Sequence, residues 1–459
     1  MYKNEIQKNP FDRGIPSGNN PIVIVVHTEY FSEHYEQLSK SVRKLIDISK
    51  LPFVSLLFLP VREANNHLIA LFQKENIEFS SYIDTKYSQE KVALKYNGKE
   101  KGILNGNLSK WGAVYVGESK VRVLDSQAIA HINPDYFVMS KDDEFYERNS
   151  INAKKITINE LLQELRILLV YYGIFYDRPN SRIYGEETYY SYRVRINFPR
   201  LIESSIKWDS ISNEEISIHP SNFGSLHQRL YLISKALDKI DFHSLKNPNN
   251  DTLDECLYHL GYMIMLVTGA FDGIAWIIKD FYKFEINPQK ISIQVPLKKK
   301  NTDFIKKLSV FNPKLYAFLL DEVTQKKINI IYQIRHSLQH RTFIQGMGYS
   351  TSDKKLPNLL FLPHESPDLF ESLSIKESNF WGFNSKINEG KLFDLRTFAH
   401  RIFEVTRELV NDSLSLINWE LPLGSLTGEE TKKLEEKLEH FKKFKTYYYS
   451  VGKESIYFN

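Results

Sequence analysis

One stretch of this chain gathers side chains able to hold a phosphate and move protons: Arg335-His336-Ser337-Leu338-Gln339-His340. An imidazole titrates near neutrality, so it can take or give a proton. A guanidinium stays charged, and its fork matches the oxygens of a phosphorane. Cutting RNA without a metal asks for this set. The 2′-hydroxyl must lose a proton, the phosphate charge must be stabilised and the 5′-oxygen must gain a proton. That chemistry uses no cofactor and no metal, and neither is expected.

These residues sit late in a helical pattern. The run INIIYQIRHSLQHRTF (328–343) follows a good cap and first-turn pair, Asn312-Pro313, which predicts a helix over 313–345. Ile331, Ile334 and Leu338 form its apolar stripe. At about 100° per residue, Arg335, Gln339, His336 and His340 fan out in that order over about 140° of adjacent surface. Arg335 and His340 are therefore hard to aim at one phosphate from a single helix. Two antiparallel copies about a twofold axis would solve this, so a homodimer is expected. Two other readings stand beside this one. Charged and amide residues opposite an apolar stripe are routine on a solvated helix face. His336 and His340 are also spaced i, i+4 as helical metal ligands often are, without a His-Glu-x-x-His pattern or an evident third ligand.

The hexapeptide resembles the motif of HEPN domains: arginine, a polar residue, a few arbitrary residues, then histidine. His336 fills the polar position. The resemblance implies a helical bundle over about 224–420, metal-independent endoribonuclease activity on single-stranded RNA, and a dimer that joins two motifs. It implies Arg335 and His340 as the catalytic pair, with His336 assisting, while Gln339 on the same polar face is a supporting candidate. A buried acid on a preceding helix is typical of such bundles, and Asp272 is the candidate to orient Arg335. An α/β domain before such a bundle also resembles, in layout, CRISPR-associated and other defence or toxin-type ribonucleases that respond to a trigger. A HEPN-like bundle without catalysis, used for interaction, is the alternative.

The elements upstream suit that layout. PIVIVVH (21–27) and LPFVSLLFLPV (51–61) read as buried strands, with helical patterns over 31–49 and 63–77 between and after them. This β-α-β-α order implies a mostly parallel, Rossmann-like sheet over 21–150, after a loose polar lead-in at 1–20. Further strands are expected at 92–98, 113–118 and 120–125. No glycine-rich phosphate loop follows the first strand. His27, Thr28, Glu29 and Arg62 lie just past the first two strands, where open α/β sheets bind ligands, and a small nucleotide or protein trigger is the expected partner.

A connecting region is expected at 151–223, opening with a helix over 156–177. Helices are expected at 225–240, 251–284 and 394–418, with a charged helix and tail over 421–459. Connectors fill 286–303 and 346–390. Lys298, Lys299, Lys300, Lys306 and Lys307 form either a solvated loop or a patch that guides RNA. Gly261, Gly269 and Gly273 suit tight helix packing or a dimer seam.

The 60 basic and 56 acidic residues leave a net charge of +4, too balanced for a protein that coats duplex DNA. A lone cysteine, Cys256, excludes an internal disulfide framework. With an N-terminus that lacks a signal peptide's apolar core, it favours the cytoplasm. Residues 256–278 are apolar enough to suggest a membrane span, but Asp272 would cost about 3 kcal/mol there. A buried core helix is expected instead.

Overall fold

A computed structural model describes residues 9–27, 53–59, 82–84, 91–96, 99–105, 133–139, 153–175, 185–211, 221–296, 302–340, 345–347, 358–363, 373–387, 390–419 and 426–452, with single positions 30, 41, 51 and 423. The chain divides into two compact units, Met1–Tyr184 with Gly452–Asn459, and Gly185–Val451.

The first unit holds a parallel sheet. β1 (Ile22–His27) pairs with β2 (Val54–Leu59), Ile22 opposite Val54. Ile22, Ile24, Val25 and Val26 are fully buried, as a strand covered on both faces requires. β3 (Tyr82–Asp84), β4 (Lys91–Tyr96) and β5 (Lys99–Asn105) form a separate antiparallel sheet. The parallel sheet resumes with β6 (Tyr136–Val138) and β7 (Lys154–Ile156), giving the order β2-β1-β6-β7. α1 (Ile158–Tyr171) follows, opened by a capping box between Thr157 and Glu160.

Two expectations need correction here. The lead-in is not loose: Phe11 is fully buried, and Arg13 donates to Asp135 at 2.7 Å. Asp135 also accepts from the Val23 amide at 2.8 Å, so this ion pair clasps the lead-in to the sheet. The first unit also runs past 150, because β7 completes the sheet and α1 belongs with it. The helices expected at 31–49 and 63–77, and the strands at 113–118 and 120–125, lie outside the described residues, apart from single helical positions at 30 and 41.

The second unit is mainly helical. It comprises α2 (Glu186–Asn197), α3 (Pro199–Ile211), α4 (Ser221–Leu245), α5 (Asn250–Phe281), α6 (Asp303–Phe311), α7 (Pro313–Leu320) and α8 (Glu322–His340). β8 (Gln345–Met347), β9 (Leu359–Pro363), α9 (Ile375–Phe380), β10 (Phe383–Ile387) and β11 (Gly390–Asp394) lead to α10 (Leu395–Ser415) and α11 (Gly428–Gly452). α5 is long and apolar enough to cross a membrane, yet most of its apolar window is buried within the unit. Its Leu260, Val267 and Ile274 share one core with Leu230 of α4, Ile331 of α8 and Ile402 of α10.

The region is not purely α-helical. Residues 346–390, expected as a connector, contribute to an antiparallel sheet of order β10-β11-β9-β8. Its apolar strand residues explain this: Leu360 and Phe393 are fully buried in the helical core. Gly390 turns the last hairpin where a β-carbon would come within 2.5 Å of the Leu362 carbonyl. α2 and α3 belong to this unit too, with Val194, Phe198, Leu201 and Trp208 in the core, so part of the expected connecting region is bundle.

Candidate functional site

The motif helix is shorter than its pattern suggests. Asp321 has an extended ψ of 133° and separates α7 from α8. Its carboxylate accepts from the Thr324 amide at 2.9 Å and hydroxyl at 3.0 Å, capping the new helix. Ile328, Ile331 and Ile334 then drive one face of α8 into the core. Leu338 continues that face: a β-carbon on Gly261 of α5 would lie 4.0 Å from it.

A second element fixes the rotation of α8. In the extended segment 291–296, Ile291, Ile293 and Val295 are buried, which turns Ser292 and Gln294 the other way. Gln325 donates to the Ile293 carbonyl at 2.9 Å and accepts from the Val295 amide at 2.8 Å. Asn329 donates to the Val295 carbonyl at 2.9 Å and accepts from the Gln294 amide group at 2.9 Å. These buried side chains stitch the segment along α8 like a strand edge.

One turn further, Tyr332 donates its phenol proton to Asp272 of α5 at 2.7 Å. Burial, reinforced by the Asp272 charge, pushes this phenol far above its ordinary range, so it remains a donor. The other Asp272 oxygen lies 3.9 Å from the Arg335 guanidinium, which also sits 5.8 Å from the centre of the Tyr332 ring. The buried Arg335 Nε has no acceptor among the described residues. Arg335 is thus steered by a carboxylate and an aromatic face without being tied down by either.

Beside it opens a cleft of about 310 Å³ lined by Gln294, Tyr332, Gln333, Arg335, His336, Ser337 and Gln339. The fold therefore gathers Arg335, Asp272, His336 and Gln339, the last with its side chain exposed alongside that of His336. α8 runs to His340, whose side chain lies outside the described part of the structure. Tyr332 and Gln294 were not anticipated. The signal for Tyr332 was its position three residues before Arg335, one helical turn along the same face. Gln294 had no such signal, because only long-range packing brings 291–296 to α8.

Other expected site residues fare differently. His27 ends β1 almost fully buried, edge-on to Phe137 with ring centres 6.3 Å apart. Thr28, Glu29 and Arg62 lie outside the described residues. So do Lys298, Lys299 and Lys300, while Lys307 donates to the Glu285 carbonyl at 2.8 Å. Gly269 packs close to Arg229: a β-carbon there would lie 2.9 Å from its Nε. Comparison of the chain with protein families, curated proteins and solved structures finds no match.

Proposed function

We propose that the second unit is a metal-independent endoribonuclease of the HEPN type, acting on single-stranded RNA. The observation that carries this reading is the state of Arg335: a permanent cation on the wall of a cleft, 3.9 Å from the Asp272 carboxylate and beside His336. A guanidinium held this way has donors left for a phosphate, and its orientation is set before substrate arrives. A fully engaged arginine would have to break an ion pair first.

In the proposed reaction the phosphodiester binds Arg335. His340, with His336 assisting, removes the 2′-hydroxyl proton and protonates the 5′-oxygen. The 2′-oxygen bonds to phosphorus as the 5′-oxygen leaves, giving a 2′,3′-cyclic phosphate and a 5′-hydroxyl. The two protons balance, and no external oxidant or metal is required.

The dimer belongs to the same proposal. Tyr258, Tyr262 and Met265 are exposed at i, i+4 and i+7 along α5, and Asp272 continues the same line seven residues on. An apolar stripe that leads to the candidate site suits a second copy of the chain. The first unit is proposed to receive a nucleotide or protein trigger, with His27 marking the end of β1. The test is incubation of purified full-length protein with single-stranded RNA in EDTA. Cyclic-phosphate products whose yield per chain rises with dimer formation are expected. Cleavage abolished by EDTA and restored by magnesium or zinc would reject the mechanism, and intact RNA under all conditions would leave the interaction role.

A further inference from the structure

The α4–α5 hairpin brings together three donors that belong to neither the Arg335 cleft nor its chemistry. His243 lies in the last turn of α4. Glu255 and His259 lie one turn apart near the start of α5, on the same face. The connection between the helices is only residues 246–249, and Asn249 caps α5 by accepting from the Thr252 amide at 2.8 Å. A turn this short fixes which end of α4 meets which end of α5.

The result is a compact donor set. One ligand atom from each of His243, Glu255 and His259 lies within 4.8 Å of the other two. Glu255 Oε2 is 3.7 Å from His259 Nε2 and 4.0 Å from His243 Nε2. The two rings stack at 27° with centres 6.2 Å apart, and a nitrogen of each lies within 4.8 Å of the other. We propose that His243, Glu255 and His259 bind one divalent transition-metal ion of the zinc class, bridging α4 and α5.

The distances suit that ion. Zinc bonds of about 2.0–2.1 Å in tetrahedral geometry place donors about 3.3 Å apart. The Glu255 oxygen lies 3.7 Å from one imidazole nitrogen and 4.0 Å from the other, and all three donors fall within 4.8 Å, so binding asks each side chain to move by about an ångström or less. The Glu255 side chain is 52% exposed, so it can swing inward to shorten its two distances, while small ring rotations bring the imidazole nitrogens together. Two imidazoles and a carboxylate favour zinc, cobalt or nickel over calcium or magnesium, which prefer oxygen. Three protein ligands leave one position for water or an outside ligand. Cys256, next to Glu255, takes no part: it is buried beside the Ile240 carbonyl and the Ser244 hydroxyl. Lys239 of α4 lies near enough to act on both imidazoles, and Lys246 in the connecting turn acts on that of His243. These cations make the site weaker than one free of neighbouring charge.

The experiment is titration of EDTA-stripped, desalted full-length protein with cobalt, followed by its visible ligand-field absorption, and with zinc by calorimetry. One ion per chain is expected, with a rise in Tm. Separate His243→Ala and His259→Ala changes should abolish the absorption. Glu255→Gln should weaken binding by more than the roughly tenfold that loss of an outer-shell partner costs. Circular dichroism checks the fold of each variant. If a histidine variant unfolds, Glu255→Gln, on an exposed side chain, decides alone. Absence of binding, or binding that survives all three changes, overturns the proposal. Binding lost in His336→Ala and retained in His259→Ala would place the ion on α8 and overturn it equally.

Discussion

The two polar clusters of the second unit are built in opposite ways. Arg335, His336 and Gln339 come from one stretch of α8, and α5 adds a single carboxylate, Asp272. His243, Glu255 and His259 are split between two helices and meet only because a short turn closes the hairpin. α5 serves both, and Glu255 and Asp272 are separated by about 26 Å of helix at 1.5 Å per residue. The first arrangement puts chemistry into local sequence and asks the fold only to orient it. The second puts the chemistry into the packing itself. A helix long enough to span the core can support both without mixing them.

The sharpest way to break this separation is Arg335→Ala. Cleavage of RNA should fall by at least about a hundredfold, in keeping with loss of preorganised charge stabilisation. Cobalt absorption should stay unchanged. The side chain is partly exposed, so circular dichroism and Tm should remain close to those of the parent. Loss of metal binding in this variant would show that the two clusters are coupled through α5.

Asp272→Asn should have a smaller effect. The amide keeps the size of the carboxylate and can still accept from Tyr332, but it no longer attracts the guanidinium. A loss of about tenfold in kcat/KM is expected, equivalent to about 1.4 kcal/mol. Rescue by Asp272→Glu, with binding of uncleaved RNA largely kept, would distinguish positioning of Arg335 from general support of the helix. An unchanged rate would remove Asp272 from the site.

The smallest effect tests the outer support of α8. Lys326 donates to Glu377 of α9 at 2.6 Å, and Ser374 adds hydroxyl and amide bonds. Those bonds, with Lys326 first, lower the Glu377 carboxyl from its ordinary value to about 2. A lowered carboxyl stabilises the fold fully above the unfolded value, near 4.5, and loses that contribution as pH falls toward 2. The pair is at the surface, so its worth is within the range of about 0–1 kcal/mol. Glu377→Gln should lower Tm slightly at pH 7, and the difference from the parent should narrow as pH falls below 4.5. A constant difference across that range would assign the effect to packing.

How far the sequence could be read follows the same division. β1 and β2 were legible because IVIVV and VSLLFL are apolar runs of strand length, and covered strands need no alternation. α5 and α10 were legible from long apolar stripes. The break at Asp321 was not, since a capping aspartate inside an otherwise helical pattern looks like any exposed acid. Leu359–Pro363 is indistinguishable from connector in sequence, because one five-residue strand gains its meaning from partners on either side. The Arg13–Asp135 clasp joins residues 122 apart, and no local pattern announces it. In the candidate site, Arg335, His336 and Gln339 shared a helix face that could be counted out. Gln294 and the hairpin donors depended on contacts that only the folded chain creates.

Cys256 has a practical consequence that reaches beyond either cluster. It is the chain's single cysteine, fully buried, with its thiol pushed up to about 11 by burial. Attack on disulfides, maleimides or oxidants requires the thiolate, and only about one part in ten thousand is present at pH 7. The folded protein therefore has a chemically silent background toward thiol reagents. A cysteine introduced at an exposed position such as Val310 would react alone, with no native residue to remove first. The same silence reports unfolding: Cys256 becomes available to reagent only when the packing of α4 against α5 opens.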